Sequence, residues 1–600
     1  MTVLTPGVAF LGRGFACFSM YLSTAYYGTV KIAESQDVSL PTWTVIAGAV
    51  VAAPVLGRLY VVYRNYSRRR RAAQLGARLV PKCQGKVPGN LDIMKISLDS
   101  IAFGYPGDGL NQFAEEYGPC YDLYLMHTEL FVTTQPEHIK AILANEFHNF
   151  QKGPKFYVTM GSVLGTGVFN SDGDMWKFHR TITRPVFARE RVSDFDIFDR
   201  HAAQVVLKIK ERLNEGYPVD FQDVMLRFTL DTATDFLFGS SVDALSAGFS
   251  YPHNASRRNV ESEQSASAKA ADEFSWAFAK CQEIIAVRER MSWMWPLAEI
   301  RRDLTEVPMK IVKSYIEPIV QAAIERKRGE PNIVQVKEEK SAGQDDKTLL
   351  DYLLQSTTDP TVLRDEILNI MIAGRDTTAS TLTWCIYLLS QHRNVLERLR
   401  AEILEKVGPM RRPDFDDLKE LKYMRAVINE TLRLYPAVPF NVRESINETI
   451  WPSPDPSLPP LYLPPGTKVA YSVFMMQRRK DLWGPDAEEF DPDRFLDERL
   501  QKYHLKNHFI FLPFNAGPRI CLGQQYAYNQ MSYMLVRLLQ TFSEMSLDLA
   551  SIPPEAAPPA FWTNSPGRKA TEKVWPKLHL TLYANGGLWV NMREAELMEA

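Results

Sequence analysis

Two apolar stretches open the chain, and the pattern after them shifts to helical and strand periodicities. Val8 to Val30 is apolar and aromatic but interrupted by Arg13 and small polar residues, so it reads as a membrane-associated segment, with a second span, an interfacial helix and a cleaved signal as the alternatives. Thr42 to Tyr63 is more uniform, with one charge, Arg58, near its end. As a helix it would extend about 33 Å against a hydrocarbon core of about 30 Å, which is long enough to span. Pro54 within it is better tolerated in lipid than in water. Arg64, Arg68, Arg69, Arg70 and Arg71 follow at once, and this positive flank predicts that everything downstream faces the cytosol.

Lys82 to Asn90 is a Pro/Gly linker, after which Tyr121 to Pro136 alternates apolar with polar residues and predicts a β-hairpin, with a helix starting at Pro136. Gly161 to Gly173 is Gly-rich and polar and reads as a loop. Leu245 to Ala271 and Gly329 to Lys347 read as surface loops between helical stretches. Pro360 to His392 and Leu522 to Phe542 carry apolar residues at helical spacing. Leu578 to Met592 predicts a hairpin turning at Asn585-Gly586-Gly587, and Ile446 to Leu461 is Pro/Ser-rich with no element predicted.

Length and composition narrow the function classes. With 600 residues, 45% of them hydrophobic, the chain can bury a large core. A net charge of -2, from 69 basic and 71 acidic residues, provides no global field for nucleic acid. Cys17, Cys83, Cys120, Cys281, Cys385 and Cys521 are scattered without CxxC pairs, which suggests neither a zinc site nor a disulfide framework.

Candidate chemistry concentrates at Phe514 to Gly523, FNAGPRICLG. Gly517 and Gly523 frame Cys521 and would let the backbone turn sharply beneath a flat partner. A projecting sulfur of this kind suits an iron, because metal coordination with backbone N–H donors removes the thiol proton. Arg519 would suit a carboxylate on that partner, and Phe514 would cover the sulfur. In the long helix, Ala373 and Gly374 leave room for a diatomic ligand, while Asp376 and Thr377 supply an acid and a hydroxyl for proton relay. The Thr377 hydroxyl competes for the Ala373 carbonyl, which predicts a local opening of the helix. Trp176 and Arg180 share a helix face and form a donor pair for a carboxylate; Glu430 and Arg433 share another. His179 reads as an ordinary helix residue.

The spacing F-x-x-G-x-R-x-C-x-G at Phe514 to Gly523, with A-G-x-D-T-T at Ala373 to Thr378, W-x-x-x-R at Trp176 and E-x-x-R at Glu430, resembles the cytochrome P-450 superfamily of haem-thiolate monooxygenases. The resemblance covers roughly residues 85 to 600. It implies a mainly α fold with small β-sheets, a triangular helix-rich haem domain behind an N-terminal membrane anchor. Residues 1–71 would form the anchor region, 72–90 a basic and Pro/Gly linker, and 91–600 the catalytic domain. It further implies haem b (iron protoporphyrin IX) on the Cys521 thiolate, with Trp176, Arg180, Arg443, Phe514, Gly517, Arg519 and Gly523 around it. Glu430, Arg433 and Arg494 would form a buried structural triad, and Ala373, Val438 and Phe440 would line the substrate pocket.

The reaction implied inserts one atom of O2 into a C–H bond, with protons relayed by Thr377 and Asp376. NADPH-derived electrons would come from NADPH-cytochrome P-450 reductase, with cytochrome b5 as a second donor, since no dinucleotide or flavin motif is present in the chain. The wording AGRDTTA and FNAGPRICLGQQYA looks most like the fungal alkane and fatty-acid hydroxylase branch. That implies an apolar small-molecule substrate and terminal hydroxylation, on the cytosolic face of the endoplasmic reticulum membrane, with no nucleic-acid partner. Broad oxidation of alkylated aromatic or polycyclic xenobiotics, and a haem-binding sensor without turnover, stand as alternatives.

Overall fold

The computed structural model describes residues 4–126, 128–187, 195–256, 266–329 and 348–596. At its centre runs the helix Pro360–Leu389, started by Asp359, whose carboxylate accepts from the backbone N–H groups of Thr361 and Val362, and by Pro360 in the first turn. It is buried on nearly every face, with the apolar Ile367, Met371, Leu382, Trp384 and Ile386 alongside polar residues such as Glu366 and Asn369. Helices Phe221–Phe238, Lys422–Leu434 and Gln524–Thr541 pack around it.

The sheets are small and lie to one side. The largest has five strands in the spatial order Cys120–Asp122, Leu130–Thr133, Lys468–Ser472, Phe440–Ser445 and Phe150–Gln151. Cys120–Asp122 and Leu130–Thr133 are the antiparallel hairpin predicted over Tyr121 to Pro136. The Pro/Ser-rich stretch forms strand Thr449–Trp451, crosses over, and returns as Leu461–Leu463, which also pairs with Arg78–Leu79. Trp451 fixes this excursion by stacking on His138 at 4.7 Å.

Three expectations are corrected. The C-terminal hairpin pairs Pro576–Leu578 with Leu582–Ala584, so it turns at 579–581 and not at Asn585-Gly586-Gly587. The strand after those glycines, Trp589–Glu594, belongs to another sheet, against Phe542–Leu547 and Val219–Asp220. Gly586 and Gly587 serve a close approach instead: a Cβ on Gly587 would lie 2.4 Å from Asp220 Oδ2, and one on Gly586 2.5 Å from Ala556 Cβ. Second, Gly161 to Leu164 continue the helix Pro154–Leu164, so the glycine-rich loop is shorter than its composition suggests. Third, the long helix is unbroken through Gly374 and Thr377. Of the two expected surface loops, 257–265 and 330–347 lie outside the described residues, while Ala266–Met291 is helical.

At the N-terminus, Pro6–Glu34 and Thr42–Gln74 are both helical and lie side by side, with the Tyr21 hydroxyl donating to Ala49 O at 3.0 Å. Thr42–Gln74 is long and apolar enough to cross a membrane. The Pro/Gly segment after it is pinned to the five-stranded sheet: Cys83 N–H donates to Asp122 O, and Asn90 Nδ2 donates to the carbonyls of Cys83, Leu123 and Tyr124.

Two buried polar networks join these layers. Glu430, Arg433 and Arg494 are fully buried; Arg433 Nε and Nη2 donate to Glu430 at 2.7 and 2.8 Å, and Arg494 Nε donates at 3.5 Å. Arg433 also donates to the carbonyls of Gln477, Ala487 and Glu489, and Arg494 pairs with Asp486, so both guanidinium groups are satisfied without water. The second network was not apparent from the sequence. Glu572 accepts from the hydroxyls of Tyr105, Tyr387 and Tyr435 at 2.8, 2.6 and 2.5 Å, tying the C-terminal region to three other segments.

Removing one member of a buried ion pair leaves its partner charged in a low-dielectric interior. Arg433→Ala is therefore expected to cost about 3–5 kcal/mol, read as a lower urea midpoint and a smaller yield of folded protein, whereas a midpoint within error of wild type would show the network to be dispensable.

Candidate active site

The loop carrying Cys521 lies against the turn at Ala141–Asn145, and this close approach dictates its sequence. Gly517 has φ +67°, and a Cβ there would sit 1.8 Å from the Leu143 carbonyl oxygen. Asn515 is also left-handed, at φ +60°, held by the Tyr471 hydroxyl donating to its Oδ1 at 2.9 Å. Cys521 N–H donates to Phe514 O at 3.0 Å and closes the loop. Gly523 differs from expectation: its φ is −85°, and a Cβ would meet the Phe187 ring at an ordinary 3.4 Å, so it does not need to be glycine for the turn. Phe514 packs at a tilt against Tyr528, with ring centroids 5.1 Å apart.

The sulfur opens onto a cavity of about 810 Å³. Burial raises the Cys521 pKa, while the Gly523 N–H and the Arg180 charge act in the opposite direction. The protein alone thus leaves a thiol there, and a bound metal cation would be needed to draw off its proton. Ala373, Gly374 and Thr377 of the long helix line the same cavity, with Val438 and Phe440 also in its lining. The Thr377 hydroxyl donates to Ala373 O at 2.6 Å, and the nearest atom to a Cβ on Gly374 would be 3.8 Å away, so the wall is low at this point.

Asp376 is not on that wall. It is buried on the other side of the helix, where Arg375 Nη1 donates to it at 2.9 Å. Burial raises its pKa, offset by Arg375 and by a hydrogen bond from Gln282. The structure therefore brings Cys521 and Thr377 to one cavity and places the acid behind the hydroxyl.

Along one edge of the cavity lie Lys152, Arg180, Arg443 and Arg519. Arg180 Nη2 donates to Ile520 O at 2.8 Å, Arg443 Nη1 donates to Val442 O at 2.7 Å, and Arg519 lies over the Trp176 ring at 4.6 Å. Arg519 also donates to Asp172 Oδ1 at 2.6 Å, but its Nε is buried without a partner. Burial and the neighbouring Arg443 push the Arg519 pKa down to about 10, and burial with Arg443 and Arg519 pulls Lys152 well below the usual lysine range. Lys152 and Asp172 were missed in the sequence: the motif that names Trp176 and Arg180 has no slot for either. The signal for Lys152 is its place one residue beyond Gln151, which pairs with Glu444 beside Arg443.

The nearby carboxylates are Asp172 and, acting on Lys152, Glu289, so the edge carries excess positive charge that a dianionic ligand would offset. The two carboxylates of a porphyrin would fit this donor set, with the Cys521 sulfur in the same cavity able to serve as a metal ligand. His179 is a structural link: it is buried, with Nδ1 2.8 Å from Glu366 Oε2 on the long helix.

A helix-rich fold that presents one cysteine sulfur to an apolar cavity, with cations grouped at its rim, defines the class of haem-thiolate enzymes. The family profile described as Cytochrome P450 matches residues 97–571, and the chain belongs to that family. The chain is 37% identical over 482 residues to Cytochrome P450 monooxygenase himC of Aspergillus japonicus, covering 80% of this chain and 76% of the relative. It is 36% identical over 442 residues to Cytochrome P450 52A5 of Candida maltosa, covering 72% and 78%, and 32% identical over 522 residues to Cytochrome P450 52A3-B of the same organism, covering 84% and 89%. It is accordingly a cytochrome P450 monooxygenase, an oxidoreductase of a family that carries haem on a cysteine thiolate and draws electrons from a redox partner.

The two glycines of the cysteine loop make a paired test. Gly517→Ala is expected to abolish haem retention, because the strained φ costs about 1–3 kcal/mol before the clash with the Leu143 carbonyl is counted. Gly523→Ala is expected to keep wild-type haem content. Equal haem-to-protein ratios for the two variants would contradict this reading of the loop.

Proposed function

We propose that the protein is a membrane-anchored haem-thiolate monooxygenase that hydroxylates the terminal carbon of long-chain alkanes or fatty acids. The observation that carries the reading is a largely apolar cavity lined by both Cys521 and Thr377. Haem b would be held by the Cys521 sulfur, with Trp176, Arg180, Arg443, Arg519 and Lys152 at its carboxylates and Phe514 shielding the thiolate. When bound, it supplies dioxygen binding and activation at the iron. Thr377 holds a hydroxyl on the cavity wall where protons are required, and Asp376, buried behind it with a raised pKa, is a proton reservoir one residue away.

Electrons would come from NADPH-cytochrome P450 reductase on the Cys521 side, with cytochrome b5 as a second donor. Membrane attachment is supported by Thr42–Gln74, whose apolar residues Trp43, Val51, Val55, Leu59 and Val62 are exposed, and by the arginines after them. We place the enzyme on the cytosolic face of the endoplasmic reticulum. The substrate class is supported by the apolar cavity and by the wording of the Ala373 and Cys521 motifs, which resembles the fungal alkane and fatty-acid hydroxylases.

Incubation of the membrane-reconstituted protein with reductase, NADPH and either dodecane or dodecanoate is expected to give the terminal alcohol; oxidation of polycyclic aromatics alone would overturn the substrate class. In the same assay Thr377→Ala should keep its haem yet release at least about tenfold more hydrogen peroxide per product, and unchanged coupling of NADPH to product would remove Thr377 from proton delivery.

A further inference from the structure

The cavity has a second cationic position, built on different elements from the rim of Lys152, Arg180, Arg443 and Arg519. Arg290 is the penultimate residue of the helix Ala266–Met291 and is half-buried on the cavity wall. Its guanidinium is held at one nitrogen: Nη2 donates to the carbonyls of Leu578 and His579, at the end of the first hairpin strand and the start of its turn. Among the described residues no carboxylate pairs with it, and it is half-buried rather than sealed. An arginine offers five donors on a planar group, so a guanidinium held at Nη2 has its Nε and Nη1 donors set in direction.

The acids that could neutralise Arg290 are engaged elsewhere. Glu289 pairs with Lys468 at 2.5 Å and Glu283 with Lys280 at 2.6 Å. His579 stacks on Tyr583 at 4.4 Å, and burial drives its pKa down to about 4, so it is neutral at physiological pH. Tyr583, with its pKa raised by burial to about 12, is neutral as well. Lys577, also on the cavity wall, adds a second cation, with its ammonium 4.1 Å from the Trp575 ring centroid. Burial lowers the Arg290 pKa, the signature of a cation that lacks its counter-charge. The cavity surface nearby is apolar, including Leu578, Leu580, Ile370 and Phe440.

We propose that Arg290 is the receptor for the carboxylate of a fatty-acid substrate, holding the acid end at the junction of helix and hairpin while the alkyl chain occupies the apolar cavity. This rests on the aliphatic hydroxylase reading and selects, within it, fatty acids over alkanes. A carboxylate meeting the remaining Nε or Nη1 donors gains a charge-assisted hydrogen bond, which an alkane or an alcohol cannot match.

The test is a titration of the ferric holoenzyme with dodecanoate, dodecan-1-ol and dodecane, following displacement of water from the iron, for wild type, Arg290→Gln and Arg290→Lys. A carbon monoxide difference spectrum establishes that each variant is folded with haem. Arg290→Gln is expected to weaken dodecanoate by about tenfold or more while leaving dodecane unchanged, and Arg290→Lys, which keeps the charge without the fixed geometry, to recover only part of the loss. Equal weakening of all three ligands, or none for dodecanoate, overturns the assignment of Arg290 alone. If the wild type binds none of the three, the aliphatic reading fails and takes this assignment with it.

Discussion

The architecture depends on bringing one sulfur to the edge of an apolar cavity on a stretch of backbone that has no room for side chains beneath it. The Cys521 loop meets that constraint by lying on the Leu143 carbonyl at Gly517, where a single added carbon would occupy the same space as the oxygen. The surrounding order follows from it. Leu143 lies in the turn that follows the helix at Pro136–Lys140, that region packs on the five-stranded sheet through a buried apolar cluster, and Leu512 just before the loop joins the same cluster. Gln477 links this layer to the ion-pair network, receiving a hydrogen bond from Leu512 N–H while its own carbonyl accepts from Arg433.

Charge is distributed with the same economy. Where the protein needs fixed geometry, buried ions are paired and hydrogen-bonded, as at Glu430, Arg433 and Arg494 or around Glu572. Where it faces the cavity, cations outnumber acids and their pKa values fall. The contrast separates groups that hold the fold from groups that await a ligand, since an unpaired buried cation is costly unless something else supplies the counter-charge.

Much of this was legible in the sequence because it rests on local rules. Apolar spacing gave the long helix, the cysteine spacing gave the loop, and the pairs Trp176/Arg180 and Glu430/Arg433 follow from helical geometry alone. What stayed hidden depends on which distant segment arrives opposite a residue. Asp376 adjoins Thr377 in sequence, yet a step of one residue on a helix turns its side chain away from the cavity and toward Arg375 and Gln282. Glu572 looks like any surface glutamate until three tyrosines from three segments converge on it. The glycine pair at 586–587 resembled a hairpin turn because the sequence could not reveal Asp220 beside it. His179 meets Glu366 for the same long-range reason.

The account stands or falls on the identity of the sulfur that binds iron. The most direct measurement is the carbon monoxide difference spectrum of the reduced protein, recorded for wild type and for Cys521→Ser. The account predicts a strongly red-shifted, thiolate-type Soret band for the wild type and its loss in the variant. A variant that retained that band would place the ligand on another cysteine and contradict the account.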